Sequence, residues 1–103
     1  MLAYSITSNI GNILNLLAYS PTMTEVQLLQ KIGQRIKKIR EEKGITQDNL
    51  GIAMGLDRPK TVKEYDKSNV SRLESGKTNP RIFTLYRVSV ALGVSLSELM
   101  KID

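Results

Sequence analysis

Apolar residues recur at helical spacing from Val26 to Lys43. Leu29, Ile32, Ile36 and Ile39 form one stripe, and Lys31, Arg35, Lys38 and Glu42 are expected to face water. Thr24-Glu25-Val26-Gln27 reads as a capping box, with Thr24 as cap and Gln27 reaching back, and Gly44 ends the helix. A second, shorter helix follows over Thr46 to Gly55. Thr46 is its cap, Asp48 complements the dipole, Leu50, Ala53 and Met54 form its buried face, and Gly55 stops it. Lys67 to Gly76 predicts a third. Val70 and Leu73 fall on one side of it, while Ser68, Ser71, Arg72 and Ser75, at i, i+3, i+4 and i+7, line the other. Asn79-Pro80 is expected to open a fourth helix, capped by Asn79, burying Leu85, Val88, Val90, Ala91 and Leu92 and ending at Gly93. Ser95-Leu96-Ser97-Glu98 is another capping box, with Leu99 inward. The pattern gives five helices and no strand, an all-α chain.

The polar stripe Ser68, Ser71, Arg72, Ser75 is poor core material. By itself it suits either a solvated surface helix or one pressed against a polar partner such as a DNA major groove.

Composition breaks near residue 22. Residues 1–22 contain no charged side chain, and every Lys, Arg, Asp and Glu lies after them. Ile6, Ile10, Ile13, Leu14 and Leu17 keep helical spacing until Pro21, but Asn9, Asn12 and Asn15 interrupt the segment too often for a membrane span. It also lacks the basic start of a secretory signal. Three readings stay open for it: an extension created by a mis-set start upstream of Met23, a dimerising or docking helix, and a mobile tail. Residues 23–103 then form the one domain that this length supports.

The net charge of +5 and a pI near 9.6 favour polyanionic partners. The chain has no Cys and no His, so thiolate and imidazole zinc sites are excluded, as are Cys nucleophiles and His acid–base chemistry. No GxGxxG or GxxxxGK loop occurs, and Glu41-Glu42 point to different helix faces. An enzyme, a metal site or a cofactor is therefore not expected, and missing Cys fits a cytoplasmic protein. Few aromatics argue against stacking on unpaired bases.

In order along the chain stand IGQRIKKIREEKGITQDNLG, NVSRLESGKTNP and TLYRVSVALGVSLSEL. From Ile32 to Leu99 these blocks resemble the lambda-repressor-like helix-turn-helix family of phage repressors, Cro and XRE-type regulators. The resemblance implies a five-helix domain that binds double-stranded DNA sequence-specifically as a transcriptional regulator, expected to be a repressor. It implies that Gln47, Ser75, Lys77, Thr78 and the amides opening the second helix hold phosphates, while Lys67, Ser68, Ser71 and Arg72 face base edges. Arg81 matches a basic position near the minor groove. It further implies an ion pair between Arg40 and Glu74. Because one recognition helix reads only a few base pairs, a weak homodimer paired through the C-terminal region is also expected. Two alternatives remain: an antitoxin whose main partner is a toxin, and a protein-interaction module that keeps the fold.

The chain departs from that family between Gly55 and Asn69, where the stretch from Leu56 to Asp66 intervenes in place of the usual short turn, inside the helix-turn-helix itself. One reading is a basic loop hinged at Pro59, with Asp66 capping the third helix and Arg58, Lys60 and Lys63 as extra phosphate contacts. The other is a longer third helix starting near Pro59 and continuing through Val62 and Tyr65. A second departure is Gly51, in place of the usual Ala where two helices cross.

Overall fold

The computed structural model describes residues 23–55 and 67–102. The expectations for residues 1–22 and for 56–66, including both insertion readings, lie outside the described residues. The described residues form five helices and no strand: α1 (Glu25–Glu42), α2 (Gln47–Gly55), α3 (Lys67–Glu74), α4 (Ile82–Leu92) and α5 (Leu96–Leu99).

Three of the helices, α1, α2 and α5, start where a side chain satisfies an orphan amide of the first turn. Thr24 caps α1 through Oγ1, which accepts from Gln27 N, and Gln27 Oε1 accepts from Thr24 N at 2.9 Å, the complete capping box. Thr46 Oγ1 accepts from Asn49 N at 3.1 Å and so opens α2. At α5 only one limb of the box forms: Ser95 Oγ accepts from Glu98 N, while the Glu98 carboxylate turns to Arg35 and Lys101.

α4 begins later than the Asn79-Pro80 signal suggests. Its N-cap is Arg81, which has no side-chain capping bond, and Asn79 Nδ2 instead donates to Glu25 Oε1 at 3.3 Å. Asn79 has thus been taken by a tertiary partner, tying the turn before α4 to the start of α1.

All five helices feed one core: Ile32, Ile36 and Ile39 of α1, Leu50 and Met54 of α2, Val70 and Leu73 of α3, Leu85, Val88 and Leu92 of α4, and Leu99 of α5. α1 and α2 both pack on α3, α2 packs on α4, and α5 closes against α4 and α1. Four apolar residues fall elsewhere than the pattern places them. Leu29, Ala53 and Ala91 are only half-buried, and Val90 is exposed because it lies opposite the stripe Leu85, Val88, Ser89, Leu92. Ser89 is the polar member of that stripe, and its hydroxyl donates to Tyr86 O at 2.6 Å, which satisfies it without a neighbour.

Arg35 does not face water. Its Nε and Nη2 donate to Glu98 O at 3.2 and 3.0 Å, and Nη2 also meets Glu98 Oε1 at 2.9 Å. One guanidinium fork therefore holds both the backbone and the side chain of α5 against α1.

Two glycines set how closely α1 meets α3. A Cβ on Gly33 would lie 2.7 Å from the Glu74 carbonyl carbon and would strike the Leu73 and Glu74 carbonyl oxygens. Gly76, at φ +74°, closes α3 in the left-handed conformation, and a Cβ there would crowd the Gln30 backbone at 2.9 Å. Any side chain at Gly33 would force the two helices apart.

Candidate nucleic-acid interface

α3 has two chemically distinct sides. Val70 and Leu73 are buried, and Glu74 turns inward with them, while Ser68, Ser71, Arg72 and Ser75 are exposed. The polar stripe expected from the spacing is therefore present on the surface. Ser75 follows the last helical residue, and its Oγ donates to Arg72 O at 3.3 Å. The turn then closes through Gly76 N to Leu73 O and Lys77 N to Arg72 O, at 3.2 and 3.0 Å. This leaves the Lys77 side chain exposed beside the C-terminal end of α3, with Thr78 half-buried next to it. Arg81 is exposed at the cap of α4. Lys67 opens α3, but its side chain lies outside the described residues, as do Arg58, Lys60 and Lys63.

The inner side of this surface is fixed by one carboxylate. Arg40 Nε donates to Glu74 Oε2 and Nη2 donates to Oε1 at 3.0 Å, a bidentate pair whose side chains are only 10% and 4% exposed. The pair that the resemblance implies is present. Arg40 also caps the chain after α1 by donating Nη1 to Ile45 O at 2.8 Å. Donating its hydrogen bonds to Glu74 raises the Arg40 pKa further, against the burial that opposes it. Gln47 completes the cluster: its Nε2 donates to Glu74 Oε1 at 3.0 Å. Gln47 is the first residue of α2, so this bond ties the amino end of α2, where amides point outward, to the end of α3.

Sequence reasoning missed three positioning residues. Gly33 is visible in retrospect as a glycine inside a strong helical stripe, which costs about 1 kcal/mol of propensity and so needs a packing reason. Gln47 carries no signal for its bond to Glu74. Arg87 half-buries under α2, donating Nη1 to Met54 O at 3.1 Å with its guanidinium 5.0 Å from the Phe83 ring centroid. It thereby holds the last turn of α2, next to the point where residues 56–66 begin.

α2 packs on α3, and α3 turns an exposed polar side outward, which is the arrangement of a helix-turn-helix. The chain belongs to the helix-turn-helix family of DNA-binding transcription regulators. The helix-turn-helix family model matches residues 63–99. An uncharacterized HTH-type transcriptional regulator of Sinorhizobium fredii is 35% identical over 69 residues, covering 67% of this chain and 78% of that one. The control protein C.MunI of a Mycoplasma species is 33% identical over 70 residues, 67% of this chain and 82% of that one. The immunity repressor protein of Bacillus phage phi105 is 35% identical over 67% of this chain, though over only 42% of its own length. Among solved structures, the restriction-modification controller protein C.AhdI from Aeromonas hydrophila superposes with a TM-score of 0.59 at 30% identity. That match covers 69% of this chain and 94% of the other. Among the described residues, no helix is long and apolar enough to cross a membrane.

Proposed function

We propose that the chain is a cytoplasmic, sequence-specific repressor that reads double-stranded DNA with the outer side of α3. The observation that carries this reading is the division of α3 into a buried side, Val70, Leu73 and Glu74, and an exposed side, Ser68, Ser71, Arg72 and Ser75. Lys67, Ser68, Ser71 and Arg72 face base edges in the major groove. Arg72 offers the planar fork that suits guanine O6 and N7, and the serines adapt as donors or acceptors. Gln47, the first amides of α2, Ser75, Lys77 and Thr78 hold phosphates and set the register. Arg58, Lys60 and Lys63 add phosphate contacts from between α2 and α3, and Arg81 lies near the narrow minor groove. A single recognition helix reads few base pairs, so the DNA-bound form is a dimer on two half-sites one helical turn apart, paired through the C-terminal region. Similarity to a control protein and an immunity repressor supports this reading over an antitoxin or a protein-interaction module.

The test is competition binding at two salt concentrations, with a selected operator and a scrambled duplex. Arg72→Ala should cost about 1–3 kcal/mol on the operator and little on scrambled DNA. Lys77→Ala should weaken both duplexes alike and reduce the salt slope by roughly 1, as should changes at Arg58, Lys60 and Lys63. Equal losses on both duplexes for Arg72→Ala would reassign it to phosphate positioning. No effect from any of these changes would remove the groove-facing reading.

A further inference from the structure

α4 carries two apolar faces, and only one of them meets the core. Opposite Leu85, Val88 and Leu92, the side chains of Ile82, Phe83, Tyr86 and Val90 are 67, 56, 49 and 60% exposed. At 3.6 residues per turn these four lie within an arc of roughly 100°. Phe83 and Tyr86 already touch, with ring centroids 5.8 Å apart. The neighbouring cation, Arg87, donates to Met54 O and lies over the Phe83 ring, 5.0 Å from its centroid, so its charge borders the stripe at that one residue. Four exposed apolar side chains along one side of a short helix mark a surface that something covers.

The chain supplies a matching occupant at the right place. The hydrogen bond from Asn79 to Glu25 brings the start of α1 next to the turn three residues before Ile82. The segment preceding Met23 therefore departs at the amino end of the stripe. Residues 1–22 have no charge, and Ile6, Ile10, Ile13, Leu14 and Leu17 recur at helical spacing. As a helix, residues 6–17 would be about 18 Å long, against about 12 Å from Ile82 to Val90. The seven residues from Ala18 to Thr24, broken by Pro21, reach about 23 Å when extended, ample to turn the segment back. A segment on so short a tether has an effective concentration on the order of millimolar, which a second copy in dilute solution does not match.

We propose that residues 6–17 cover the Ile82, Phe83, Tyr86 and Val90 face of their own α4. Because residues 6–17 carry no charge, this contact is insensitive to salt and separate from DNA binding, so its failure leaves the DNA-reading proposal untouched. Burial of Ile10 and Leu14 against Phe83 and Val90 supplies the contact, and an acid at either side disrupts it.

The absence of cysteine makes the test clean. Ser8→Cys in the full chain takes one nitroxide label, on the side of the segment opposite its apolar stripe. The amide signals of Ile82, Phe83, Tyr86 and Val90 should lose most of their intensity at every protein concentration. Ile10→Asp with Leu14→Asp should restore them, and so should Val90→Asp for the other three, at a position already exposed. Signals that stay intact in the labelled chain would overturn the proposal. A loss that survives these substitutions would overturn it too, as would a loss seen only when labelled and isotope-enriched chains are mixed. The last result would assign the face to a second copy.

Discussion

Glu74 accepts hydrogen bonds from two helices other than its own, Arg40 of α1 and Gln47 of α2. Glu74→Ala should therefore cost about 3–5 kcal/mol in urea unfolding, because it leaves a buried guanidinium unpaired. Arg40→Met combined with Glu74→Leu should recover most of that loss, since both charges go together. Gly33 makes the opposite kind of demand. Gly33→Ala gains about 1 kcal/mol of helix propensity but drives a methyl into the carbonyls of Leu73 and Glu74, so a net loss of about 1–3 kcal/mol in the same assay is expected. An unchanged or raised urea midpoint would show that α1 and α3 can slide apart freely. Neither role follows from periodicity alone. The Arg40–Glu74 pair was legible only through the family resemblance, because a hydrophobic pattern does not say which charged side chain folds inward. The Gly33 contact depends on the backbone of another helix, which a local pattern does not contain.

Caps and stops along the helices were the most legible features, because they act within three or four residues. Thr24, Thr46 and Ser95 cap as their sequence signals predict, and Ser95→Ala should cost about 0.5–2 kcal/mol through α5. The misread features are tertiary. Asn79 is claimed by Glu25 and Arg35 by Glu98, and each exchanges a local or solvent role for one across the fold. The α1–α5 clamp also carries a pH signature. A hydrogen bond from Lys101 holds the Glu98 carboxyl below its ordinary range, and Arg35 adds to it. A depressed carboxylate contributes stability above its unfolded pKa and loses it as pH falls through the folded value. Urea midpoints measured across the acid range should therefore fall less steeply for Glu98→Gln than for the native chain. Identical acid limbs would show that the clamp rests on the bonds to the Glu98 carbonyl alone.

In the whole molecule, one core joins all five helices, so unfolding should be a single cooperative transition. The proposed dimer is a question at this scale too. Sedimentation velocity should show weak self-association of the free chain that strengthens on a duplex with two half-sites, and monomer under both conditions would remove it. The fold class was legible because five amphipathic or capped segments leave few alternatives. The candidate DNA surface was legible only in part. Spacing placed Ser68, Ser71, Arg72 and Ser75 on the outside, but their assignment to particular bases depends on how α3 is presented.

The separation of duties along α3 has a consequence for how such a regulator changes over generations. Residues that anchor the helix, Val70, Leu73 and Glu74, are not the exposed ones proposed to meet a duplex. Exchanges at Ser68, Ser71 or Arg72 touch no core contact and typically shift stability by no more than about 0.5 kcal/mol. New operator preferences can therefore be sampled by drift without first losing the fold, and the same three positions are the natural ones to randomise when retargeting the domain.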